Sequence, residues 1–187
     1  MKKITLCLIS IFTSCIISAQ VIPAKNTFQS DMAKVIADYP NQFKNLSGEL
    51  LVKNPQSTEY KTKQNIKEAE ECTITKYSST GKEIFSWQAL MLRTDDFELA
   101  KKKFKTLYNA LNNLLVNINT EKIVFKGDYN KPTEDKKFTS IVFSPAGKEG
   151  LKIRVELLLQ AEMLEWSLKV LVYEKEKEDD ESGQIKE

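Results

Sequence analysis

The chain contains no histidine, so the side chain that most often serves as a general base or neutral metal ligand near pH 7 is missing. Ser-His-Asp triads, Cys-His dyads and histidine zinc sites are thereby excluded within one chain. Glycine is scarce, at six residues among 187. None of the six falls in G-x-G-x-x-G or G-x-x-x-x-G-K-[ST], and both Gly81-Lys82 and Gly147-Lys148 lack the upstream glycine and the following hydroxyl residue. Phosphate-cradling loops are therefore not encoded. The longest apolar run covers residues 4–17, about 14 residues against the roughly 20 that a membrane-crossing helix needs.

That run has its own meaning. Lys2 and Lys3 precede it and Ser18-Ala19-Gln20 follow, the layout of a secretory signal peptide over residues 1–20, cleaved near Ala19 or Gln20. Export to a bacterial periplasm or beyond is the expectation. The competing reading is a degenerate lipoprotein box at Phe12-Thr13-Ser14-Cys15, which would leave an acylated Cys15 as a lipid anchor. Against it, Ile16 and Ile17 continue the apolar run where a lipid-anchored chain normally turns polar. Cleavage at Ala19 removes Cys7 and Cys15, so Cys72 remains alone and no intrachain disulfide can form. Its setting, Glu-Glu-Cys-Thr-Ile-Thr, alternates like a strand and points to a buried thiol.

From Val21 onward the periodicities predict a single α+β domain over residues 21–173. A first helix is expected from Thr27 or Ser30 to Tyr39, with Phe28, Met32, Val35, Ile36 and Tyr39 on one face and Pro40 ending it. Residues 41–52 read as a short helical turn or a packed loop. Three strands follow, over 59–66, 71–78 and 82–92, the last two joined at Ser79-Thr80-Gly81-Lys82. A long second helix is expected over 96–117. Its stripe holds Phe97, Ala100, Phe104, Leu107, Tyr108, Leu111, Leu114, Leu115 and Ile118, with Thr94 or Asp95 as cap. Four more strands are expected, over 121–129, 137–144, 151–160 and 166–174. The order α-βββ-α-ββββ implies a largely antiparallel sheet with both helices packed on one face. It has the outline of a degenerate duplication without a residue-by-residue repeat.

The charge balance is informative once divided. The formal surplus of two cations belongs to Lys2 and Lys3. Residues 174–187 hold seven acidic and three basic residues, which reads as a disordered, solubilising tail. The body keeps a surplus of four cations, too small for a nucleic-acid surface. Lys102, Lys103 and Lys105 lie opposite the apolar stripe of the second helix and read as its solvated face. The Asp128–Asp135 stretch resembles a calcium loop but lacks the glycine and the terminal glutamate such a loop requires. Glu68, Glu70 and Glu71 cluster, as do Asp95 and Asp96, at a strand entrance and a helix N-terminus, where structural roles suffice. No cofactor, metal or catalytic residue is indicated.

Two binding readings follow. In the first, a non-catalytic exported domain binds a protein or a cell-envelope component through a sheet face. Leu158, Leu171 and Tyr173 mark that face, because they put apolar residues where strand alternation calls for polar ones. In the second, an apolar or lipid-like ligand lies between helix and sheet, lined by Trp87, Phe104, Tyr108, Leu111 and Trp166. Mass spectrometry of the exported chain checks the N-terminus: a free amine at Gln20 or Val21 is expected, and an acylated Cys15 would replace it under the lipoprotein reading.

Overall fold

The structure, a computed structural model, describes residues 27–79 and 82–175. The signal peptide, Cys7, Cys15, the Thr80-Gly81 turn and most of the charged tail lie outside the described residues. Helix α1 (Thr27–Ala37) is followed by a 3-10 turn (Tyr39–Asn41) and strands β1 (Ser47–Lys53), β2 (Ser57–Thr62), β3 (Glu71–Ser79) and β4 (Lys82–Thr94). Helix α2 (Phe97–Leu111) then leads to β5 (Leu114–Ile118), β6 (Glu121–Lys126), β7 (Phe138–Pro145), β8 (Ile153–Glu162) and β9 (Glu165–Glu174). The nine strands form one open sheet in the order β1-β2-β3-β4-β9-β8-β7-β6-β5, every neighbouring pair antiparallel. The α+β class with an antiparallel sheet is thus as expected from sequence.

The sheet consists of two meanders, each preceded by a helix. The first ends on β4 and the second on β9, and these two last strands pair at the centre. Helix α2 carries the chain from the central β4 to β5 at the far edge, packing on β4, β8 and β9 on the way. Its first turn is fixed by Asp96, whose carboxylate accepts from the Leu99 amide at 3.0 Å. The cap is therefore Asp96 rather than Thr94 or Asp95; Thr94 Oγ1 accepts in turn from the Asp96 amide at 3.1 Å.

Both helices and one face of the sheet enclose a single core. Phe28, Met32, Val35 and Ile36 of α1 are buried, as are Phe97, Ala100, Phe104, Leu107, Ala110 and Leu111 of α2. Against them lie Trp87, Ala89 and Met91 of β4, the even-numbered residues from Trp166 to Val172 of β9, and the odd-numbered residues from Ile153 to Leu159 of β8. A bulge in β4, where the register on β9 slips between Leu90 and Leu92, turns both Met91 and Leu92 toward this core. Cys72 is buried on β3, and burial pushes its thiol pKa upward.

Two elements differ from the sequence expectation. Residues 41–52 were expected as a helical turn or loop, yet the chain turns at Gln42 and Phe43, both at left-handed φ, and then enters β1. The buried Asp38 carboxylate organises this turn, accepting from Asn41 Nδ2 at 2.9 Å and from the Asn45 amide at 3.2 Å. The second helix also stops six residues early. Asn112 leaves helical geometry, Asn113 sits at φ 64°, and residues 114–118 form a strand with alternating burial. Four strands after α2 become five. In a strand Leu115 faces outward beside buried Val116, whereas a continued helix would have put Leu115 on the apolar stripe and Val116 off it. Equilibrium unfolding distinguishes the two: Val116→Ala is expected to cost about 2 kcal/mol, and Leu115→Ala no more than about 0.5 kcal/mol.

Candidate interaction surface

The face of the sheet opposite the helices is not covered by any described element, and strand register orders its side chains into rows. One row runs Val142, Glu156, Leu171, Gln88, Thr73 across β7, β8, β9, β4 and β3. The next runs Ser140, Leu158, Lys169, Leu90, Glu71. Beyond it Phe138, Gln160, Ser167 and Arg93 form a third, and on the other side Arg154 pairs with Tyr173. Leu158, Leu171 and Tyr173, the residues singled out by broken alternation, are therefore brought together on one face, each half-buried. Phe138 and Val142 join them and are exposed.

Polar groups between these apolar ones are held by one another. Glu156 accepts hydrogen bonds from Ser140 Oγ and from the Tyr173 hydroxyl. Burial, then the Glu156 charge, push the Tyr173 pKa up to about 12, with Arg154 acting the other way. Lys169 donates to Glu162 Oε1 at 2.6 Å, and Gln160 donates to the same oxygen. These bonds hold the Glu162 carboxyl below its ordinary range, Lys169 being the main cause. A shallow depression of about 120 Å³ lies alongside, lined by Glu59, Glu71, Thr73, Gln88, Leu90, Arg93 and Lys169.

The rows end at a feature that sequence reading missed. Strands β8 and β9 are joined by the two residues Met163 and Leu164, since Glu162 pairs with Glu165. Met163 adopts φ 57°, and the two side chains are 104% and 90% exposed. Two-residue turns of this kind ordinarily use glycine or asparagine at a left-handed position, because a side chain there is strained. The carboxylates at the base of the tip face each other across the ladder, a repulsive pair. Lys169 on Glu162 and Arg93, 3.8 Å from Glu165, offset that repulsion. The only sequence signal for the tip was a Met-Leu pair inside a turn, and it has no periodicity to mark it.

The five residues named as a ligand lining are placed in the core. Trp87 and Phe104 are fully buried, Leu111 and Trp166 nearly so, and Tyr108 packs on Phe143 and Tyr129. The two tryptophans lie apart. Trp87 pairs with Val172 and Trp166 with Thr94, at opposite ends of the β4–β9 ladder, and the Trp166 ring packs tilted against Phe97 with centroids 4.9 Å apart.

The carboxylate clusters have structural partners. Glu68 pairs with Lys103, Glu70 accepts from the Arg93 amide at 2.9 Å, and Asp96 caps α2. Among the described residues no group of three or more His, Cys, Asp or Glu is placed to hold a metal ion. No described helix is long and apolar enough to cross a membrane.

Tyrosine absorbance near 295 nm followed through an alkaline titration tests the network on the open face. Tyr39 is also raised to about 12, chiefly by burial and then by Glu174, so two of the six tyrosines are expected to ionise there. Tyr173→Phe should remove about half of that late phase. Because the folded pKa exceeds the unfolded value of 10, the stability contributed by keeping Tyr173 neutral is complete below pH 10. It is lost as pH rises toward 12.

Comparison with protein-family models, with curated proteins and with solved structures returns no match for this chain.

Proposed function

We propose that this chain is an exported, non-catalytic binding domain that engages another protein of the cell envelope through the open sheet face and the Met163-Leu164 tip. The observation that carries the reading is the tip itself. Two large apolar side chains stand fully in water on a backbone that disfavours one of them. Strain of this kind is characteristic of places where function outweighs stability. The neighbouring rows add Phe138, Val142, Leu158 and Leu171 around Arg93, Arg154 and Lys169, a mixture typical of protein-binding surfaces.

The shape of the surface favours a macromolecule over a small ligand. The depression of about 120 Å³ beside the rows is well below the roughly 300–1,000 Å³ of small-molecule sites. At the base of the tip Glu162 is balanced by Lys169 and Glu165 by Arg93, so the apolar side chains rather than a net charge would carry the contact. Export rests on the signal-like pattern of residues 1–20.

A photo-crosslinking residue placed at position 164 or 158 in intact cells is expected to yield one discrete adduct. The same residue at position 105, on the solvated face of α2, should yield none. Adducts from all three positions, or from none, would overturn the proposal. Met163→Gly separates stability from binding. It relieves the left-handed strain, worth about 1 kcal/mol, and should raise Tm by roughly 2–4 °C while weakening the adduct at position 158.

A further inference from the structure

A recess of about 340 Å³ lies between the outer side of α2 and the connection from β6 to β7, residues 127–137. Its walls are Glu98, Lys101, Lys102 and Lys105 of the helix and Tyr129 and Lys131 of the connection. Helical spacing gathers the first four, which stand three and four residues apart on one side of α2. Periodicity alone makes Lys102 and Lys105 part of a solvated face; the fold brings a second basic wall up against them.

That wall is pinned to the core. Gly127 permits the close approach, since a Cβ there would lie 2.9 Å from the Val142 carbonyl oxygen. The Gly127 carbonyl accepts from the Tyr108 hydroxyl at 3.2 Å, and its amide donates to Asn112 Oδ1 at 3.3 Å. The exposed Tyr129 ring leans on Tyr108 with centroids 4.8 Å apart, and Pro132 is buried. The recess is thus shaped by contacts within the chain, which lowers the ordering cost of binding.

Its charge is unbalanced. Four ammonium groups face one carboxylate, and Glu98 already accepts from Lys101 with both oxygens, at 2.7 and 3.0 Å. Lys102, Lys105 and Lys131 have no carboxylate partner among the described residues. Asp128, Glu134 and Asp135 of the same connection line no part of the recess. Like charges at the spacing of Lys102 and Lys105 repel, and the lysine stems with the Tyr129 ring give apolar walls beneath the charged heads.

We propose that this recess binds a small soluble phosphate monoester carrying an aromatic ring, the phosphate among Lys102, Lys105 and Lys131 and the ring against Tyr129. Ammonium groups bind phosphate oxygens as point charges, and a ring beside an exposed tyrosine gains tilted or offset contact. The volume falls within the roughly 300–1,000 Å³ of small-molecule sites. The cations surround a hollow, which suits a discrete ester better than the headgroups of a bilayer. The open sheet face lies on the opposite side of the sheet, so this site and the proposed protein contact are tested apart.

Phenyl phosphate and inorganic phosphate, titrated into the isotope-labelled chain and followed through amide chemical shifts, are the probes. Phenyl phosphate is expected to bind with Kd of roughly 0.1–1 mM, shifting residues 101–105 and 127–131 most, and inorganic phosphate several-fold more weakly. Lys105→Gln and Lys131→Gln should each weaken both by roughly threefold. Tyr129→Leu should remove the preference for the ester and leave inorganic phosphate unchanged. Lys103→Gln makes the same change of charge on the same helix, but Lys103 pairs with Glu68 outside the recess and its loss should alter neither affinity. Vesicles of phosphatidylcholine and phosphatidic acid should not bind. Unchanged amide shifts elsewhere show that each variant keeps its fold. The proposal is overturned by the absence of saturable shifts at these amides, by equal weakening from Lys103→Gln and Lys105→Gln, by a Tyr129→Leu chain that keeps the preference, or by binding to the vesicles in place of the soluble ester.

Discussion

Coverage is the constraint on which the structure depends. Nine strands at a spacing of about 4.8 Å make a sheet close to 40 Å across, and a helix with its side chains is about 10–12 Å wide. The two helices therefore share one face, α2 over β4, β8 and β9 at the centre and α1 against the β5 edge. Everything apolar that faces the helices disappears into a single core, from Phe28 at one end of the chain to Val172 at the other. Everything on the opposite face must either be polar, be tied into a network, or stay apolar in contact with water. The open face contains all three: Lys169 and Arg154, the Ser140–Glu156–Tyr173 cluster, and the Leu158–Leu171 diagonal.

How much of this was legible in the sequence depended on whether periodicity survives locally. Strands β7 to β9 keep the two-residue repeat on their buried side and α2 keeps its spacing over four turns, and they lie where those repeats place them. Spacing alone extends α2 through β5 because Leu114, Leu115 and Ile118 continue its 3- and 4-residue repeat. Only Asn112 and the left-handed Asn113 interrupt it. Spacing alone reads β1 as a helical turn or packed loop because two register slips within seven residues erase the two-residue repeat. Single asparagines and bulges outweigh apolar spacing when they coincide with an element boundary, and spacing alone does not reveal them.

The candidate surface was legible only in part, for a related reason. Leu158, Leu171 and Tyr173 stood out as lapses in alternation, and the register gathers them together with Phe138 and Val142 from β7. Met163 and Leu164 did not stand out, since exposure and backbone conformation at a two-residue turn are properties of the fold. Trp87, Phe104, Leu111 and Trp166 were legible as apolar and interior. An apolar stripe has the same sequence whether it lines a hollow or fills one, and their spread along the sheet comes from the strand pairing.

The two tryptophans illustrate what that spread does to the molecule as an object of measurement. Trp87 sits in dry surroundings, and its indole N–H finds no acceptor among the described residues, while Trp166 leans on Phe97 near the surface at the other end of the same ladder. The two indoles thus sit in unlike surroundings although they share one pair of strands, one without a ring against it in the deep core and one against Phe97. The protein thus carries a built-in pair of optical probes, one beside the exposed apolar tip and one toward the opposite end of the ladder. An event at the tip meets Trp166 first, and an event in the deep core meets Trp87.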